Sequence, residues 1–128
     1  MELRPGLTGE VEHTVSAADT AVALGSGDVP VLGTPKVLAL AEAATVAAVA
    51  AALDAGSTSV GTAVTLRHRA ATAVGGRVVA SAELTGVDGA ALTFSVSVRD
   101  GEGRVVADGE VERAVVARER FLAKAGVR

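Results

Sequence analysis

Hydrophobic and polar residues change their spacing along the chain, and each spacing predicts one structural element. Residues Leu7 to Val15 alternate, with His13 among the apolar positions, which predicts a strand with one buried face. Residues Pro35 to Leu53 are apolar on nearly every side of a helix and carry one acid, Glu42. Because a helix without a polar face must be surrounded, we expect the rest of the chain to wrap around it.

The ends of this helix carry recognisable signals. Thr34 is a hydroxyl residue suited to the N-cap position, and Pro35 follows at the first helical position. Gly56 predicts the end of the helix, since glycine adopts the left-handed conformation that stops helices. Between the first strand and the helix, residues 16–33 show no strong periodicity, so we expect an irregular segment that packs over another part of the protein as a lid.

Four further segments are spaced as strands, and the turns between them are short. They are Ser59 to Arg69, Arg77 to Val87, Leu92 to Arg99 and Arg104 to Val116, followed by a brief helical tail from Arg118 to Ala125. The Asp88-Gly89 pair is a hairpin signal, so we expect an antiparallel meander. The predicted fold class is therefore α+β, with one domain over residues 1–128 in which an antiparallel sheet wraps around one long central helix.

Composition narrows the chemistry. The only aromatic residues are Phe94 and Phe121, so Val, Ala and Leu must fill the core. Cysteine is absent, which excludes disulfides and thiolate nucleophiles, and two histidines without cysteine make a metal site improbable. We expect neither a metal nor a cofactor, and the Gly-Ser-Gly-Asp stretch lacks the Gly-Lys-Ser/Thr of a phosphate-binding loop.

Charge and hydropathy also restrict the partners. A net charge of −3 without a basic stripe interleaved with aromatic residues argues against nucleic acid. The N-terminus has no apolar run typical of a signal peptide, and the central helix holds an acid at its middle, where a bilayer disfavours charge. We therefore expect a soluble cytoplasmic protein that does not enter a membrane.

Three charged or titratable residues occupy positions where strand alternation or the apolar helix predicts a core. His68 follows the inward set Val60, Val64 and Leu66, Arg113 lies among Val105, Ala107, Val111 and Val115, and Glu42 lies on the helix. From this pattern alone a catalytic pair of Glu42 and His68 and a structural buried ion pair remain equally open, and one β-bulge would change the faces. His13 has no matching acid in the pattern, so we interpret it as a packed or half-exposed residue.

Taken together and in order, the local motifs resemble the fluoroacetyl-CoA thioesterase branch of the hotdog thioesterases. The motifs are the helix entry LGTPKVLALAEAA, the strand VGTAVTLRHRAATAVGG and the last strand with its tail, DGEVERAVVARERFLAK. The resemblance implies a hotdog domain with functional residues at Thr34, Glu42 and His68. It also implies that Gly61 contributes its backbone to substrate binding and that Arg113 is a nearby structural or electrostatic partner.

The resemblance implies hydrolysis of an acyl-CoA thioester. Backbone N–H groups near Gly61 would hold the carbonyl oxygen, Glu42 would act as base or attack the acyl carbon, His68 would transfer the proton, and Thr34 would orient water or the nucleophile. Residues 17–33 contain no aromatic residue, whereas that branch has an aromatic lid that selects the fluorinated acyl group, so we do not expect the fluoroacetyl specificity to carry over. The small Ala and Val side chains predict a short or medium acyl chain instead.

Other functions and the assembly follow from the same reasoning. A hotdog enoyl-CoA hydratase and a non-catalytic protein that binds acyl-CoA or another small ligand are the alternatives. An isolated hotdog sheet leaves a strand edge exposed, which pairing with a second copy would cover. We therefore expect a homodimer, or a higher assembly built from it, with sites near the subunit boundary.

Overall fold

The computed structural model describes residues 2–127, which form five strands, one long helix and several short helical turns. In chain order the elements are β1 (Thr8–Thr14), α1 (Ala21–Leu24), α2 (Thr34–Val49), β2 (Ser57–His68), β3 (Arg77–Asp88), β4 (Ala91–Asp100), β5 (Val105–Ala117) and α3 (Arg118–Lys124). Two 3₁₀ turns, Ala17–Asp19 and Ala50–Ala52, precede α1 and follow α2. The predicted elements are all present, with boundaries that differ from the prediction by at most four residues.

The strands form one antiparallel sheet in the order β1-β3-β4-β5-β2, and α2 lies against one face of it. The core fills the space between them with small and branched side chains, and Phe94 is the largest of those that are fully buried. This arrangement confirms the predicted α+β class and the sheet wrapped around a long helix.

The predicted four-strand meander is wrong in one connection. Strands β3, β4 and β5 follow one another as hairpins, but β2 pairs with β5 and not with β3. The connection from β2 to β3 spans residues 69–76, too long for a hairpin turn, and is held by a bridge between Val31 and Ala73. As a consequence, β1 and β2 are the two edges of the sheet.

Helix α2 starts and ends differently from the prediction. Its N-cap is Gly33, and the Thr34 side chain makes no capping hydrogen bond. The α-helix ends at Val49 and continues as the 3₁₀ turn, while Gly56, with φ 84°, lies in the turn that precedes β2. The Thr34 hydroxyl, which the sequence assigned to the cap, is therefore free to bond elsewhere.

The helix is also less enclosed than we expected. One side packs on β1, β3 and β4, but an apolar stripe on the other side is exposed. The exposed residues are Ala39, Ala43, Val46, Ala47 and Ala50. By length and composition the segment Thr34–Ala52 matches a membrane span, yet it lies on the sheet with several residues fully buried, as core helices do.

A β-bulge in β2 changes which of its side chains face the helix. The pairing with β5 shifts between Gly61 and Ala63, so Thr62 is an extra residue and the alternation reverses there. Val64, Leu66 and His68 share the inner face, as predicted. Val60 does not, because it pairs with Ala114 on the opposite side of the bulge, and Ser59 and Gly61 face the helix instead.

A second irregularity in β5 has the same effect on another predicted core residue. Val105 pairs with the outward-facing Arg99, and the register shifts before Ala107. Val106 is consequently the fully buried residue at this point, although the pattern had placed Val105 in the core.

Candidate functional site

The first group of candidate residues joins the start of α2 to the end of β2. Thr34 Oγ1 lies 2.8 Å from His68 Nδ1, a hydrogen-bond distance. The geometry exists because Gly33 supplies the helix cap through its backbone, which leaves the Thr34 hydroxyl unused by the helix. A threonine that the sequence explained as an N-cap is therefore a partner of the candidate catalytic histidine.

The other ring nitrogen of His68 has no partner within residues 2–127. Nε2 is buried and makes no hydrogen bond, while Nδ1 is engaged by Thr34. A small cleft of about 210 Å³ beside the ring is lined by Val31, Arg69, Ala70 and Ala71. An imidazole held at one nitrogen and unpartnered at the other is suited to moving a proton, since the bond at Nδ1 orients the ring.

The second group surrounds Glu42, eight residues further along α2. Arg113 Nη1 donates to Glu42 Oε2 at 3.2 Å, and the Arg113 side chain is only 7% exposed. The same guanidinium donates from Nε to Ser59 Oγ and from Nη2 to the Ser59 carbonyl oxygen, both at 2.9 Å. Burial lowers the pKa of Arg113 from its ordinary value, and the Glu42 carboxylate opposes that shift.

The carboxylate is thus neither isolated nor fully buried. The Glu42 side chain is 32% exposed and faces a cation, so the ion pair fixes its direction while one side stays accessible. Ser59, a partner that parity did not single out, was missed because the bulge at Thr62 reverses the faces of β2. The predicted proximity of Arg113 to the acid is confirmed by this contact.

Gly61 lies directly beside the Glu42 carboxylate. A Cβ added at this position would overlap Glu42 Oε2 and would come within 3.6 Å of Arg113 Nη1. Glycine is thus required here by the close approach of the helix side chain to the β2 backbone and not by a positive φ. A group that approaches the Gly61 backbone would meet the accessible side of Glu42 at once.

The two groups do not touch within one chain. Among the described residues no hydrogen bond or ion pair joins Glu42 to His68, although each has close partners of its own. Eight helical residues separate Thr34 from Glu42, which corresponds to about 12 Å along α2. The expected convergence of acid, imidazole and guanidinium is therefore split between a Thr34–His68 pair and a Glu42–Arg113–Ser59 cluster beside Gly61.

The pattern of β1 concealed one further interaction. His13 Nε2 lies 2.7 Å from Asp19 Oδ2, and Asp19 is buried. The expectation that His13 has no matching acid is wrong, because the acid comes from the irregular segment, where periodicity gives no information. No group of three possible metal ligands occurs among residues 2–127.

A wider depression in the surface of residues 2–127 lies away from both groups. It measures about 630 Å³ and crosses the outer face of β1, β3 and β4, where serine and glutamate side chains line it. Neither Glu42 nor His68 contributes to it, and it is broad and open. Size alone is therefore a poor guide to the chemistry of this chain, and the hydrogen-bonded groups on the inner face carry the functional argument.

Sequence comparison identifies the relatives of this chain. Residues 15–119 match the FlK family of fluoroacetyl-CoA-specific thioesterases. A fluoroacetyl-CoA thioesterase from Streptantibioticus cattleyicolor is 42% identical over 94 residues, which cover 73% of this chain and 67% of the relative.

Solved structures agree with this result. A structure of the fluoroacetyl-CoA thioesterase FlK superimposes with a TM-score of 0.90 at 34% identity, covering 98% of this chain and 96% of FlK. A mutant of FlK in complex with fluoroacetate and CoA gives a TM-score of 0.85 at 34% identity, covering 93% and 99% of the two chains. A thioesterase superfamily member from Thermus thermophilus, at 23% identity and TM-score 0.87 over 94% and 88%, shares the fold. The chain therefore belongs to the fluoroacetyl-CoA-specific thioesterase family, which confirms the hotdog fold and the thioester-hydrolase class predicted from the sequence.

Proposed function

We propose that this protein hydrolyses an acyl-CoA thioester with a short or medium acyl chain to the free acid and CoA. The observation that carries the proposal is the presence of two chemically complementary groups on one face of α2 and β2. One group offers an oriented imidazole, and the other offers an ion-paired carboxylate beside a glycine backbone. The relatives are fluoroacetyl-CoA thioesterases, which supports a CoA thioester as the substrate.

In the proposed reaction Glu42 either activates water or attacks the acyl carbon. Its Oε2 accepts a hydrogen bond from Arg113, which keeps the carboxylate in place for either role. The thioester carbonyl would lie over Gly61, where the missing side chain allows close approach and backbone N–H groups stabilise the developing oxyanion. Arg113 adds a positive charge to the same region.

His68 and Thr34 handle the proton in this scheme. The Thr34 hydroxyl bonds Nδ1 and orients the ring, and the unpartnered Nε2 passes a proton to the departing CoA thiolate. Thr34 and His68 are therefore proposed as catalytic together with Glu42, and Gly61 and Arg113 as substrate-binding residues. This assignment requires the two groups to act on one substrate.

We propose that a homodimer brings the groups together. β2 is an edge strand and carries Gly61 near one end and His68 at the other. If two copies of β2 pair antiparallel about a two-fold axis near Val64 and Thr65, Gly61 of one copy lies opposite His68 of the other. We propose that the exposed apolar stripe of α2 is covered in the same dimer.

We propose a short or medium acyl group because of the side chains in the segment before α2. Residues 17–33, which pack beside the start of α2, contain no aromatic residue. These short and branched side chains do not form an aromatic lid. In the proposed dimer, the length of the acyl chain is therefore limited by the depth of the cleft between the two copies. A soluble, cytoplasmic location and the absence of nucleic-acid partners belong to the same proposal.

Thiol release from acyl-CoAs of graded length, fluoroacetyl-CoA included, tests the function. We expect Glu42→Gln and His68→Ala each to lower kcat/KM by about 10² or more, since each removes a group that acts in the transition state. Glu83→Gln, on the exposed outer face of β3, is the matched carboxylate control and should keep full activity.

Three outcomes would contradict the proposal. Full hydrolysis by Glu42→Gln would remove this mechanism. Loss of enoyl absorbance without thiol release would indicate a hydratase, and tight acyl-CoA binding without turnover across the whole panel would indicate a binding protein.

A further inference from the structure

The strongest feature that the proposed reaction does not use is the buried carboxylate of Asp19. Its Oδ2 accepts hydrogen bonds from the Ser16 backbone N–H at 2.8 Å and from the Ser16 hydroxyl at 3.0 Å, and it contacts His13 Nε2 at 2.7 Å. Asp19 itself is 7% exposed. Three polar partners converge on one oxygen, which fixes the 3₁₀ turn against the end of β1.

Asp19 remains ionised in this environment. Burial opposes ionisation, but the hydrogen bonds from the Ser16 N–H, the His13 ring and the Ser16 hydroxyl outweigh it and lower the pKa to about 2. A charged, multiply bonded carboxylate is a rigid attachment point, because no single partner can leave without exposing an unpaired charge.

Asp19 also contacts the start of α2 on both sides of Thr34. The Asp19 carbonyl oxygen accepts a hydrogen bond from the Gly33 N–H at 2.9 Å, and its Oδ1 lies 3.7 Å from Lys36 Nζ. Gly33 directly precedes Thr34, and Lys36 follows two residues later. Asp19 therefore holds the residues on both sides of Thr34, and through them it restrains the position of the Thr34 hydroxyl.

His68, the partner of Thr34, is held from the other direction. The N–H groups of Arg69 and Ala70 both donate to the Val106 carbonyl oxygen, at 2.7 and 3.2 Å. The Leu32 N–H donates to the Thr72 carbonyl oxygen at 2.9 Å, which ties the segment before α2 to the chain that follows His68. Two sets of contacts therefore hold the 2.8 Å hydrogen bond between Thr34 and His68 in place. One set is centred on Asp19 and includes the second histidine, His13.

We propose that His13 and Asp19 are positioning residues for the Thr34–His68 pair, acting through Gly33 and Lys36 on the start of α2. They touch no substrate. Their catalytic consequence rests on the proposed function, since it assumes that His68 transfers a proton. The structural part, that the His13–Asp19 contact sets the Thr34–His68 hydrogen bond, stands independently of it.

Kinetics with three variants test the catalytic consequence. Asp19→Asn keeps the volume and removes the charge, His13→Ala removes the ring, and His13→Gln restores an amide N–H that reaches Asp19. We expect Asp19→Asn and His13→Ala to lower kcat by about tenfold with KM within about twofold, because misplaced groups slow the chemistry more than binding. His13→Gln should recover most of kcat, and Glu12→Gln, which alters an exposed ion pair with Arg77 on the opposite face of β1, should change nothing.

A measurement without substrate separates this inference from the proposed function. The chain has two histidines, so His13→Gln leaves His68 as its only imidazole. The ¹⁵N shift of His68 Nδ1 should move in Asp19→Asn and His13→Ala toward the value in Thr34→Val, which lacks the hydroxyl. It should stay at the wild-type value in His13→Gln and Glu12→Gln. An unchanged Nδ1 shift in folded His13→Ala would overturn the inference even if the enzyme is active, and a shifted Nδ1 in an inactive protein would leave it standing.

Discussion

At the scale of single residues, each candidate group is defined by an unexpected partner. Glu42 is not a lone acid in an apolar helix, because Arg113 donates a hydrogen bond to it and is itself held by Ser59. Thr34 is not a helix cap, because its hydroxyl bonds His68. Side chains that sequence patterns treat separately therefore act in pairs, and the pairs determine what each residue can do.

Gly61→Ala should inactivate the enzyme and leave the fold intact. The added Cβ overlaps only the tip of the flexible Glu42 side chain, so the carboxylate moves away from its position over the Gly61 backbone. We expect kcat/KM to fall by about 10², since displacements of about 1 Å have effects of this size. The free energy of unfolding should change by no more than about 1 kcal/mol.

The control for this variant is Gly86→Ala, a glycine at the irregularity of β3. Its Cβ would lie 3.7 Å from Thr93 Cβ, which is ordinary contact, and activity should be unchanged. Thiol-release kinetics and urea unfolding on both variants check the expectation. Wild-type activity in Gly61→Ala would contradict the placement of the carbonyl over this backbone.

We expect protonation of Asp19 to destabilise the folded protein in acid. Its pKa is about 2 in the folded chain against an ordinary value of 3.8, and the charged group facing it from α2 is Lys36, with His13 facing it from β1. A lowered pKa stabilises the fold above the unfolded value, and that contribution disappears as the pH falls from about 4 to about 2.

Urea unfolding of the wild type and Asp19→Asn between pH 6 and pH 2.5 measures this contribution. We expect the wild type to be more stable by about 1 kcal/mol at pH 6, a figure reduced for the solvent that reaches His13 and Lys36, and the difference to shrink below pH 4. A difference that stays constant across this range would show that the charge of Asp19 contributes nothing.

At the scale of elements, the fit between α2 and the sheet decides which residues face each other. The helix lies so close to β1 that a Cβ at Gly9 would overlap the backbone of Ala44 and Ala48. This close approach is possible because the buried face of α2 contains alanine at both positions. This packing fixes the position of α2, the helix that carries Glu42.

Gly9→Ala should therefore destabilise the protein much more than a typical strand glycine substitution. The clash is with helix backbone, which cannot yield as a side-chain tip does, so α2 must shift as a whole. We expect the free energy of unfolding to fall by about 2 kcal/mol, the typical cost of overpacking, with Gly86→Ala near zero. Urea titration at neutral pH measures it, and a loss below about 0.5 kcal/mol would show that the helix accommodates the methyl group.

At the scale of the whole molecule, the exposed surfaces indicate where a second copy of the chain would bind. The edge strand β2 and the apolar stripe of α2 are both open in the single chain. The two candidate groups lie about 12 Å apart along the helix. One contact between two copies would cover the apolar surface and complete two sites.

Val46→Glu should dissociate the proposed dimer. Val46 is 48% exposed in the middle of the α2 stripe, and a carboxylate buried there without a partner opposes association. We expect the dimer dissociation constant to rise at least about tenfold, equivalent to about 1.4 kcal/mol, and activity to fall in parallel at low protein concentration.

Sedimentation velocity across a concentration series measures the effect. Val87→Glu, which changes an exposed valine near the end of β3, is the matched control and should remain dimeric. A wild type that sediments as a monomer at micromolar concentration would contradict the dimer, and a dimeric Val46→Glu would place its interface elsewhere.

Local sequence patterns were sufficient to predict the elements and the residue types available for chemistry. Alternation and helical spacing depend on local geometry, so the strands, the long helix and the hairpins from β3 to β5 could be located without knowing the fold. The selection of Glu42, His68 and Arg113 followed from the same rule, since charges among apolar positions stand out.

The side-chain and strand pairings depend on the folded arrangement of the whole chain. The bulge at Thr62 placed Ser59 and Gly61, not Val60, next to the helix, and the route of residues 69–76 made β2 an edge strand. The cap at Gly33 released Thr34, and the irregular segment supplied Asp19 to His13. These contacts join residues distant in sequence or lacking periodicity, and they depend on backbone irregularities and close packing that local hydrophobic spacing does not encode.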